Sequence, residues 1–591
     1  MSWYRPAGRP PVDVIAFTLF PNTVEPMELM MNRRELLIKA MVVASCVKAW
    51  PSPAKATGGA APITLPDAGM APPTPQKRWV ALAEALKPSL VEVPYPAIGV
   101  VEPAIARDAP AGYVMRQRES MDALAQRTFN SGDSFIVDFG NHYTGYLAFH
   151  VGWSGKSSDA PVRLRLTFGE VPGDVAEPLY PYKGWLSASW LPDEIVNVDF
   201  LPQQVRVPRR HAFRFVKIDV IATSDNFSAT FSDISVGAVS SAGVDRGRPA
   251  RYDSPLWRDI DKVSIRTLHE CMQTSFEDGP RRDRRLWVGD LRLQALTNYV
   301  SFGNHDLVRR CLYLFAGLQR DDGYITACVY EQPAPRIGEV VLIDYAVLYG
   351  SILLDYYRAT KDKQTALELW PIAKRQIDLA LKNVNEKGMF TAPEKDFVFI
   401  DWQESLDKQA AIQGVMIYSC RQLTALGDVL DLSSETDAYA AGIEKMIRAA
   451  TRDLFDARQG VFISGKNRQV SWASQAWMAL AGVLSQPLAA ASLTKVMGMP
   501  AAVRPLTPYL YHHMVDALVA SGARAEARRL VEDYWGRMVN AGADTFWEAF
   551  DPQNPSASPY GSKQINSYCH AWSCTPSYFI RTGFAKTKGD K

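Results

Sequence analysis

Residues 276–290 read Phe-Glu-Asp-Gly-Pro-Arg-Arg-Asp-Arg-Arg-Leu-Trp-Val-Gly-Asp and lie between two amphipathic helical patterns. The stretch contains four carboxylates, four arginines and one tryptophan, and Asp278-Gly279-Pro280 is a turn signal near its start. Carboxylates and guanidinium groups hydrogen-bond sugar hydroxyls, while an indole face packs on the C–H side of a sugar ring. The composition therefore predicts a sugar-binding loop. The alternative is a solvated loop of self-neutralising ion pairs.

Upstream of this loop, from about residue 91 to 242, short runs alternate apolar and polar residues, with turns between them. A polar turn is predicted between the first two of the clearest runs. These runs are Ser134–Gly140, Tyr146–Val151, Val162–Phe168, Phe213–Val220 and Phe227–Phe231. Strands at this spacing, without helical patterns between them, are typical of an antiparallel β-sandwich.

Downstream, after about Ser254, the hydrophobic period is helical. Candidate helices cover residues 255–273, 288–301, 305–319, 341–359, 363–384, 409–427, 436–454, 471–483, 488–498, 508–521, 524–540 and 567–581. About twelve helices, joined alternately by short turns and longer loops, are what six helical hairpins need to close into a barrel. We therefore predict a β-sandwich over residues 91–250 followed by an (α/α)6 six-hairpin barrel over residues 251–585.

The longer loops of the predicted barrel cover residues 276–287, 320–340, 385–408 and 541–566. They contain most of the conspicuous Trp, Asp, Glu and Tyr residues. Loops that gather at one end of a rigid scaffold are the usual location of a functional site, so we expect the site there.

The composition excludes several classes of partner. The 591-residue chain has 65 basic and 63 acidic residues and a formal net charge of +2, so nothing in its charge favours nucleic acid or an anionic membrane surface. No segment after the N-terminal region reaches the roughly 18 apolar residues that a membrane helix needs. No phosphate-binding loop, dinucleotide fingerprint, serine-nucleophile elbow or zinc-ligand spacing is visible, so we expect neither a cofactor nor a metal.

The N-terminal region, residues 1–56, reads as a targeting segment. After a second possible start at Met31, the twin arginines Arg33 and Arg34 precede a short apolar run, as in a twin-arginine export signal. Ala54-Lys55-Ala56 fits a cleavage site, and residues 1–30 are interpreted as a mis-called start. Residues 57–90 are assigned to a linker, since their first part is rich in Ala, Pro, Gly and Thr.

Two outcomes of this targeting are open. Val43-Ala44-Ser45-Cys46 resembles a lipoprotein processing box, which would place a lipid anchor on Cys46. In the alternative, Cys46 is an incidental cysteine of the apolar run. In both cases we expect a periplasmic or secreted protein.

Several motifs, in the same order along the chain, resemble those of the bacterial α-L-rhamnosidases, glycoside hydrolase family 78 of the six-hairpin glycosidases. The family's loop reads Asp-Cys-Pro-x-Arg-(x)-Glu-(Arg/Lys)-Leu-Gly-(Trp/Tyr)-x-Gly-Asp, and residues 278–290 resemble it. Val137–Gly140 and Leu164–Glu170 are similar to the sandwich domain that precedes the barrel in that family.

Three further loops carry the resemblance. Asp401-Trp402 resembles the family's Gly-Asp-Trp loop, with Ile400 in place of the glycine. Thr545–Glu548 resembles its Thr-Thr-x-Trp-Glu loop, and His570 with Trp572 resembles the start of its last barrel helix. The likeness extends over residues 90–582.

The resemblance implies hydrolysis with inversion, in which one carboxylic acid protonates the leaving oxygen and an opposed carboxylate activates water. It assigns Asp283 as the general acid and Glu548 as the general base. The family usually has Glu at the acid position, and the arginines beside Asp283 are expected to lower its pKa, whereas a general acid needs a raised one. Glu277 and Asp290 are the first substitutes. The alternative for Glu548 is a surface carboxylate beside a packed tryptophan.

The remaining site residues are predicted to bind the sugar. They are Asp278, Arg282, Trp287, Asp290, Asp401, Trp402, Trp547, His570 and Trp572. The acidic residues and Arg282 could instead form structural ion pairs, each tryptophan could be buried in the barrel core, and His570 could be a helix-start histidine. His512 and His513 are interpreted as core or surface residues.

Three functions remain open from the sequence. The first is an exported exo-acting α-L-rhamnosidase that removes terminal rhamnose or a similar deoxysugar from glycans. The second is a lyase acting at a rhamnosyl-uronate linkage, with Tyr568 or His570 as base and Arg281–Arg285 neutralising the uronate. The third is a non-catalytic carbohydrate-binding protein. The sequence does not determine the oligomeric state, the linkage or the aglycone.

Overall fold

The computed structural model describes residues 76–106, 109, 112–247, 252 and 254–584. An antiparallel sheet domain is followed by a helical barrel, which confirms the predicted fold class. The export signal and Cys46 lie outside the described residues. Within the described ranges, no helix is long and apolar enough to cross a membrane.

The N-terminal domain consists of nine antiparallel strands in one sheet. They are β1 (Val91–Pro96), β2 (Gly99–Ile105), β3 (Tyr113–Glu119), β4 (Ser134–Gly155), β5 (Val162–Gly169), β6 (Asp193–Val198), β7 (Gln203–Arg206), β8 (His211–Ala222) and β9 (Phe227–Ser240). The main order is β1-β9-β4-β8-β5-β6, with β3 on β2 and both β2 and β7 on β4. Buried aromatic residues, including Phe129, Phe149, Phe168 and Phe213, form the core.

Strand β4 is long and pairs with different strands along its first and second parts. Up to Asp138 it pairs with β2 and β8, and from Gly145 onward mainly with β9 and β7. The register shifts between Asp138 and Tyr143, and Gly140, at a φ of 77°, lies in the shift. The predicted polar turn is therefore wrong: the shift redirects a single continuous strand, so no turn is needed.

Residues 76–85 form a helix, α1 (Gln76–Ala85), that packs on the barrel helix His305–Gly317. Trp79 is buried and donates from its indole N–H to Glu368 at 2.9 Å. The linker prediction therefore does not hold for this part of residues 57–90, because burial of one aromatic face stabilises a helix there.

The barrel helices cover Pro255–Cys271, Val288–Tyr299, His305–Gly317, Ile343–Val347, Tyr349–Thr360, Lys363–Leu381, Gln409–Leu430, Asp437–Asp453, Trp472–Leu480, Gln486–Met497, Pro508–Ala520 and Arg524–Asn540. These bounds agree with the predicted helices to within a few residues, although the predicted helix 341–359 is divided at Leu348. Two small three-stranded sheets lie in the barrel loops. One consists of Leu286–Trp287, Cys328–Tyr330 and Arg336–Ile337, and the other of Phe455–Asp456, Val461–Ser464 and Gln469–Val470.

The last predicted helix, 567–581, does not form as a regular element. Residues 571–573 and 580–584 are single 3₁₀ and π turns around a short helix, Pro576–Phe579. The backbone N–H of His570 donates to Phe546 at 2.8 Å and that of Ala571 to Asp278 at 2.8 Å. Because these donors bind neighbouring loops, they are not available to a helix.

Buried polar groups hold the sandwich on the barrel. Glu270, near the end of the first barrel helix, accepts the backbone N–H of Thr144 at 2.6 Å. Glu170 lies 3.0 Å from the ring of His142 and accepts the backbone N–H of Tyr568 at 2.6 Å. Since a buried polar group is costly to leave unpaired, these contacts fix the sandwich beside the loops around residues 280 and 568.

Arg310 is fully buried and joins three segments. Its guanidinium donates to the carbonyl of Thr274 at 2.8 Å, to the carbonyl of Ala83 in α1, and to Glu331 at 2.5 Å. We expect Arg310→Met to lower the free energy of unfolding by about 3–5 kcal/mol, because Glu331 loses the cation it faces. Denaturant unfolding followed by circular dichroism measures the change.

The neighbouring Arg309 provides the matched control, since its ion pair with Asp306 lies on the surface. We expect Arg309→Met to change the free energy of unfolding by less than about 1 kcal/mol. Equal losses in the two variants would contradict the anchoring role of Arg310.

Candidate active site

One pocket opens where the loop around residue 280, the loop around residue 400 and the segments 545–573 meet. The space within it, together with the solvent at its open mouth, amounts to about 850 Å³. The lining residues are Leu186, Asp278, Arg282, Asp283, Trp287, Asp290, Val340, Leu342, Tyr345, Val398, Phe399, Asp401, Trp402, Lys408, Glu548, Tyr560, His570 and Trp572. Ten of the eleven site residues predicted from the sequence are among them, and Trp547 is not.

The charged loop is closed by its own backbone. The backbone N–H of Asp278 donates to the carbonyl of Arg285 at 2.9 Å, and the side chain of Asp278 accepts the N–H of Arg285 at 3.1 Å. Between them, Asp283 and Arg284 have φ values of 61° and 51°. Such left-handed residues cost about 1–2 kcal/mol each. Asp283 lines the pocket, whereas Arg284 lines a separate cavity beside His211.

Arg282 contacts both carboxylates that the resemblance assigns to catalysis. Its Nη1 lies 3.2 Å from Asp283 Oδ1, its Nη2 donates to Glu548 Oε2, and its Nε donates to the carbonyl of Ile565 at 3.0 Å. The phenol of Tyr560 donates to the other oxygen of Glu548, and the guanidinium lies 4.4 Å from the centre of the Tyr560 ring. Glu548 is therefore held in a buried setting by Arg282, by Tyr560 and, at 3.4 Å, by the backbone N–H of Ser567.

Asp278, Asp290 and His570 form a second polar group in the pocket. His570 lies 4.0 Å from Asp278 and 3.8 Å from Asp290, which is too far for direct hydrogen bonds. Burial and the nearby charge of Asp283 raise the pKa of Asp278 well above its usual range, and burial with the charge of Glu548 does the same for the pKa of Asp290. Burial and Arg282 lower the pKa of His570 well below its usual value, so the ring is neutral.

Three buried polar atoms of the pocket residues have no hydrogen-bond partner within the described part of the chain. They are Asp290 Oδ1, His570 Nδ1 and Trp287 Nε1. Unpaired buried polar atoms are uncommon in folded proteins because each carries a desolvation cost. A ligand with several hydroxyl groups would supply the missing bonds.

The Asp401-Trp402 loop forms another wall, but the carboxylate of Asp401 is occupied by the protein. It accepts the N–H of Leu506 at 2.8 Å, the N–H of Thr507 at 3.0 Å and the Thr507 hydroxyl. Burial raises the pKa of Asp401 to about 6. Asp401 thus anchors the start of the helix Pro508–Ala520, while Trp402 lies edge-on to Tyr560, with 5.7 Å between the ring centres.

Ile400 stands where the family motif has glycine, and its φ is 57°. A β-branched residue rarely adopts this conformation. The backbone N–H of Ile400 donates to Asp344 at 2.9 Å, as does that of Phe399. These bonds and the burial of the side chain hold the strained turn in place.

Trp547 is the predicted sugar contact that lies elsewhere. Its indole packs edge-on against Phe550 and Tyr568, with ring centres 5.2 and 5.7 Å apart, inside the helical core. Because consecutive side chains of a non-helical segment project in different directions, turning Glu548 into the pocket turns Trp547 away.

Other residues considered from the sequence are also outside the pocket. Glu277 pairs with Arg210 at 2.7 Å. Arg281 binds Asp174 at 3.0 Å and the carbonyl of Gln564 at 2.9 Å. The Tyr568 phenol donates to the carbonyl of Lys563 at 3.3 Å. His512 and His513 are fully buried core residues, as interpreted.

Sequence reasoning missed Tyr560, Tyr345, Lys408 and Leu186, all of which line the pocket. A signal existed for Tyr560, which is the single aromatic residue of the Ser- and Pro-rich stretch from Asp551 to Ile565. No local signal existed for Leu186, because it reaches the pocket from the sandwich domain. Within the described residues, no group of three or more His, Cys, Asp or Glu side chains is arranged to hold a metal ion.

Two family models match the chain. Residues 97–238 match the glycosyl hydrolase family 78 alpha-rhamnosidase N-terminal domain, and residues 251–583 match the bacterial alpha-L-rhamnosidase 6 hairpin glycosidase domain. The second match alone covers more than half of the chain. A comparison with curated protein sequences gives no significant match.

Solved structures agree with the family models. The chain is similar to the rhamnosidase from Klebsiella oxytoca with rhamnose bound, at 46% identity and a TM-score of 0.83, over 85% of this chain and 98% of that one. It shares its fold with the family 78 rhamnosidase of Bacillus sp. GL1 (21% identity, TM-score 0.67, 79% of this chain, 49% of that one). It also shares its fold with the Streptomyces avermitilis α-L-rhamnosidase complexed with L-rhamnose, at 16% identity and a TM-score of 0.59, over 84% of this chain and 44% of that one. The chain thus spans about half the length of these last two proteins.

The family models and the similarity to the Klebsiella oxytoca rhamnosidase lead to one assignment: the chain belongs to the α-L-rhamnosidases of glycoside hydrolase family 78 and is a glycoside hydrolase.

Proposed function

We propose that this hydrolase removes terminal α-L-rhamnosyl residues in a single inverting step, with Asp283 as general acid and Glu548 as general base. The observation that carries the proposal is that one pocket brings Asp283 together with Glu548, whose carboxylate is held by Arg282 and Tyr560, and with three unpaired polar atoms. Glycans and glycosides with an exposed rhamnose are the proposed substrates.

Inversion needs the two carboxyl groups about 6.5–9.5 Å apart, so that a water molecule fits between the base and the sugar. Asp283 and Glu548 contact different nitrogens of Arg282, so the guanidinium lies between them. Tyr560 and Arg282 orient the carboxylate of Glu548 toward the position of this water.

The rest of the pocket fits a deoxysugar. Asp290, His570 and Trp287 offer unpaired polar atoms to ring hydroxyls. Because their pKa values are raised, Asp278 and Asp290 can also donate as neutral acids. The methyl group of rhamnose needs no polar partner, and the apolar wall formed by Leu342, Val398 and Phe399 suits it.

The geometry gives less support to a lyase. Arg281 is committed to Asp174 and to backbone carbonyls, and Arg284 lines another cavity, so neither can neutralise a uronate in this pocket. The Tyr568 phenol lies outside the pocket. Arg282 already faces two carboxylates. Hydrolysis therefore fits the arrangement better than elimination.

Single variants test the two catalytic assignments. We expect Glu548→Gln to lower kcat/KM about 10²–10⁴-fold on every rhamnoside, because the water loses its base. We expect Asp283→Asn to lower kcat/KM by a similar factor on a rhamnosyl disaccharide but by far less on a 4-nitrophenyl rhamnoside, because nitrophenolate leaves without a proton. Steady-state kinetics on the two substrates measures this contrast.

Asp290→Asn is the matched control, because Asp290 lies in the same pocket and is proposed to bind a hydroxyl. We expect this variant to lower kcat/KM by the same factor on the rhamnosyl disaccharide and on the 4-nitrophenyl rhamnoside. If Asp290→Asn instead shows the dependence on the leaving group and Asp283→Asn does not, Asp290 is the acid.

The stereochemistry is tested by proton NMR during the first minutes of hydrolysis of an aryl α-L-rhamnoside. Inversion predicts that the β-anomer of L-rhamnose appears first and that the α-anomer grows in by mutarotation. An initial α-anomer would contradict the single-step mechanism, and an unsaturated uronide from a rhamnosyl-uronate substrate would indicate elimination.

Export to the periplasm or beyond is the last part of the proposal, supported by Arg33, Arg34 and the apolar run that follows them. We expect Arg33→Lys combined with Arg34→Lys to keep the full-length protein in the cytoplasm of its host, whereas the unchanged chain is exported and shortened. Cell fractionation with immunoblotting checks this. Labelling with radioactive palmitate, lost in Cys46→Ser, distinguishes a lipid anchor from a free protein.

A further inference from the structure

The connection between β5 and β6, residues 177–191, leaves the sandwich and reaches the active-site pocket of the barrel. Leu186 lines the pocket itself. Leu179, Leu186 and Leu191 form one buried cluster with Tyr560 and Ile565 of the barrel. This connection therefore packs directly on the loop that carries Tyr560.

Trp185 makes the specific contacts between the two. Its backbone N–H donates to the carbonyl of Tyr560 at 3.0 Å, and its indole N–H donates to the carbonyl of Pro559 at 2.9 Å. Its ring also packs on the Tyr560 ring, with centres 5.5 Å apart. One residue of the sandwich thus fixes both the backbone and the ring of Tyr560.

Tyr560 transmits this position to the base. Its phenol donates to Glu548 Oε1, and its ring lies beneath Arg282, whose Nη2 donates to the other oxygen of Glu548. Trp402 packs edge-on against the same ring. Tyr560 is therefore one donor to the Glu548 carboxylate and contacts a second, Arg282; the third donor is the backbone N–H of Ser567.

We propose that Trp185 is a positioning residue for catalysis: the sandwich domain, through Trp185 and Tyr560, holds Glu548 in the orientation needed to activate water. The inference depends on the proposed role of Glu548 as base. It makes the active site a product of both domains, although the proposed acid and base both belong to the barrel. A misplacement of about 1 Å can cost on the order of 10²-fold in rate.

The test compares Trp185→Leu and Trp185→Phe with Tyr560→Phe on an aryl α-L-rhamnoside, using the full chain. We expect Trp185→Leu to lower kcat about 10–100-fold with KM changed less than about threefold, because orientation and not sugar binding is lost. Trp185→Phe keeps the ring contact and the backbone bond, so it should recover most of kcat.

Trp153 provides the matched control. It lies in the same domain, is 39% exposed, and donates from its indole to the carbonyl of Lys156 at 3.1 Å. We expect Trp153→Leu to leave kcat and KM unchanged. Thermal unfolding of all variants separates a loss of fold from a loss of orientation. If Trp185→Leu does not fold, Trp185→Phe is used instead. A small decrease in its kcat without a change in KM supports the proposal, and an unchanged kcat contradicts it.

The double variant Trp185→Leu with Tyr560→Phe tests the route of the effect. If Trp185 acts through Tyr560, the double variant should lose no more than about threefold beyond the more damaged single variant, because the two residues form one unit. The proposal would be overturned if the decrease in kcat of the double variant equalled the product of the decreases in the two single variants. A change in KM alone, or a Trp185→Leu variant as active as Trp153→Leu, would also overturn it.

The result is separable from the base assignment. Full activity of Glu548→Gln would remove the proposed base, while the coupling between Trp185 and Tyr560 could still be measured. Full loss in Glu548→Gln together with an undamaged Trp185→Leu would keep the base and reject the role of the sandwich.

Discussion

The buried ion pairs of Arg282 are the interaction on which the active site depends. Its three guanidinium nitrogens contact Asp283, Glu548 and the carbonyl of Ile565, and its side chain is 4% exposed. A buried charge must be paired, and the removal of one partner leaves the other uncompensated. The two loops that supply these groups, residues 276–287 and 541–566, are therefore coupled, and neither can move alone without breaking a buried contact.

Other buried carboxylates hold strained backbone in place around the pocket. Asp283, Arg284 and Ile400 all adopt left-handed conformations without being glycine. Asp278 closes one strained loop, and Asp344 holds the other by two backbone N–H groups. The barrel supplies a rigid frame, and buried carboxylates outside the proposed acid–base pair hold the loops that present it. Several aspartates thus have a structural role even where they border the pocket, and Asp401 is the clearest case.

Electrostatics divides the acidic residues into two groups. Glu548 faces a cation and a phenol, whereas burial and neighbouring carboxylates raise the pKa values of Asp278 and Asp290 well above the usual range. The first group is suited to activating water and the second to hydrogen-bonding hydroxyls in a largely apolar pocket. The short loop between residues 278 and 290 supplies the cation that faces Glu548, Arg282, and both carboxyl groups with raised pKa values.

The sequence by itself determined the fold class and most of the helix bounds, because a change from period two to period 3.6 is a local property of the chain. Ten of the eleven residues that it placed in the site line one pocket, and most of them were assigned through the resemblance of short motifs to those of the family. Only the tertiary structure decided which way neighbouring side chains point: Glu548 inward and Trp547 into the core, Asp283 toward the pocket and Arg284 away.

The structure alone revealed that Asp401 is occupied by the start of a helix, that α1 replaces part of the linker, and that Trp185 and Leu186 of the sandwich reach the site. These outcomes depend on contacts between residues more than 100 positions apart, such as Asp401 with Thr507 and Trp185 with Pro559, which no local pattern records.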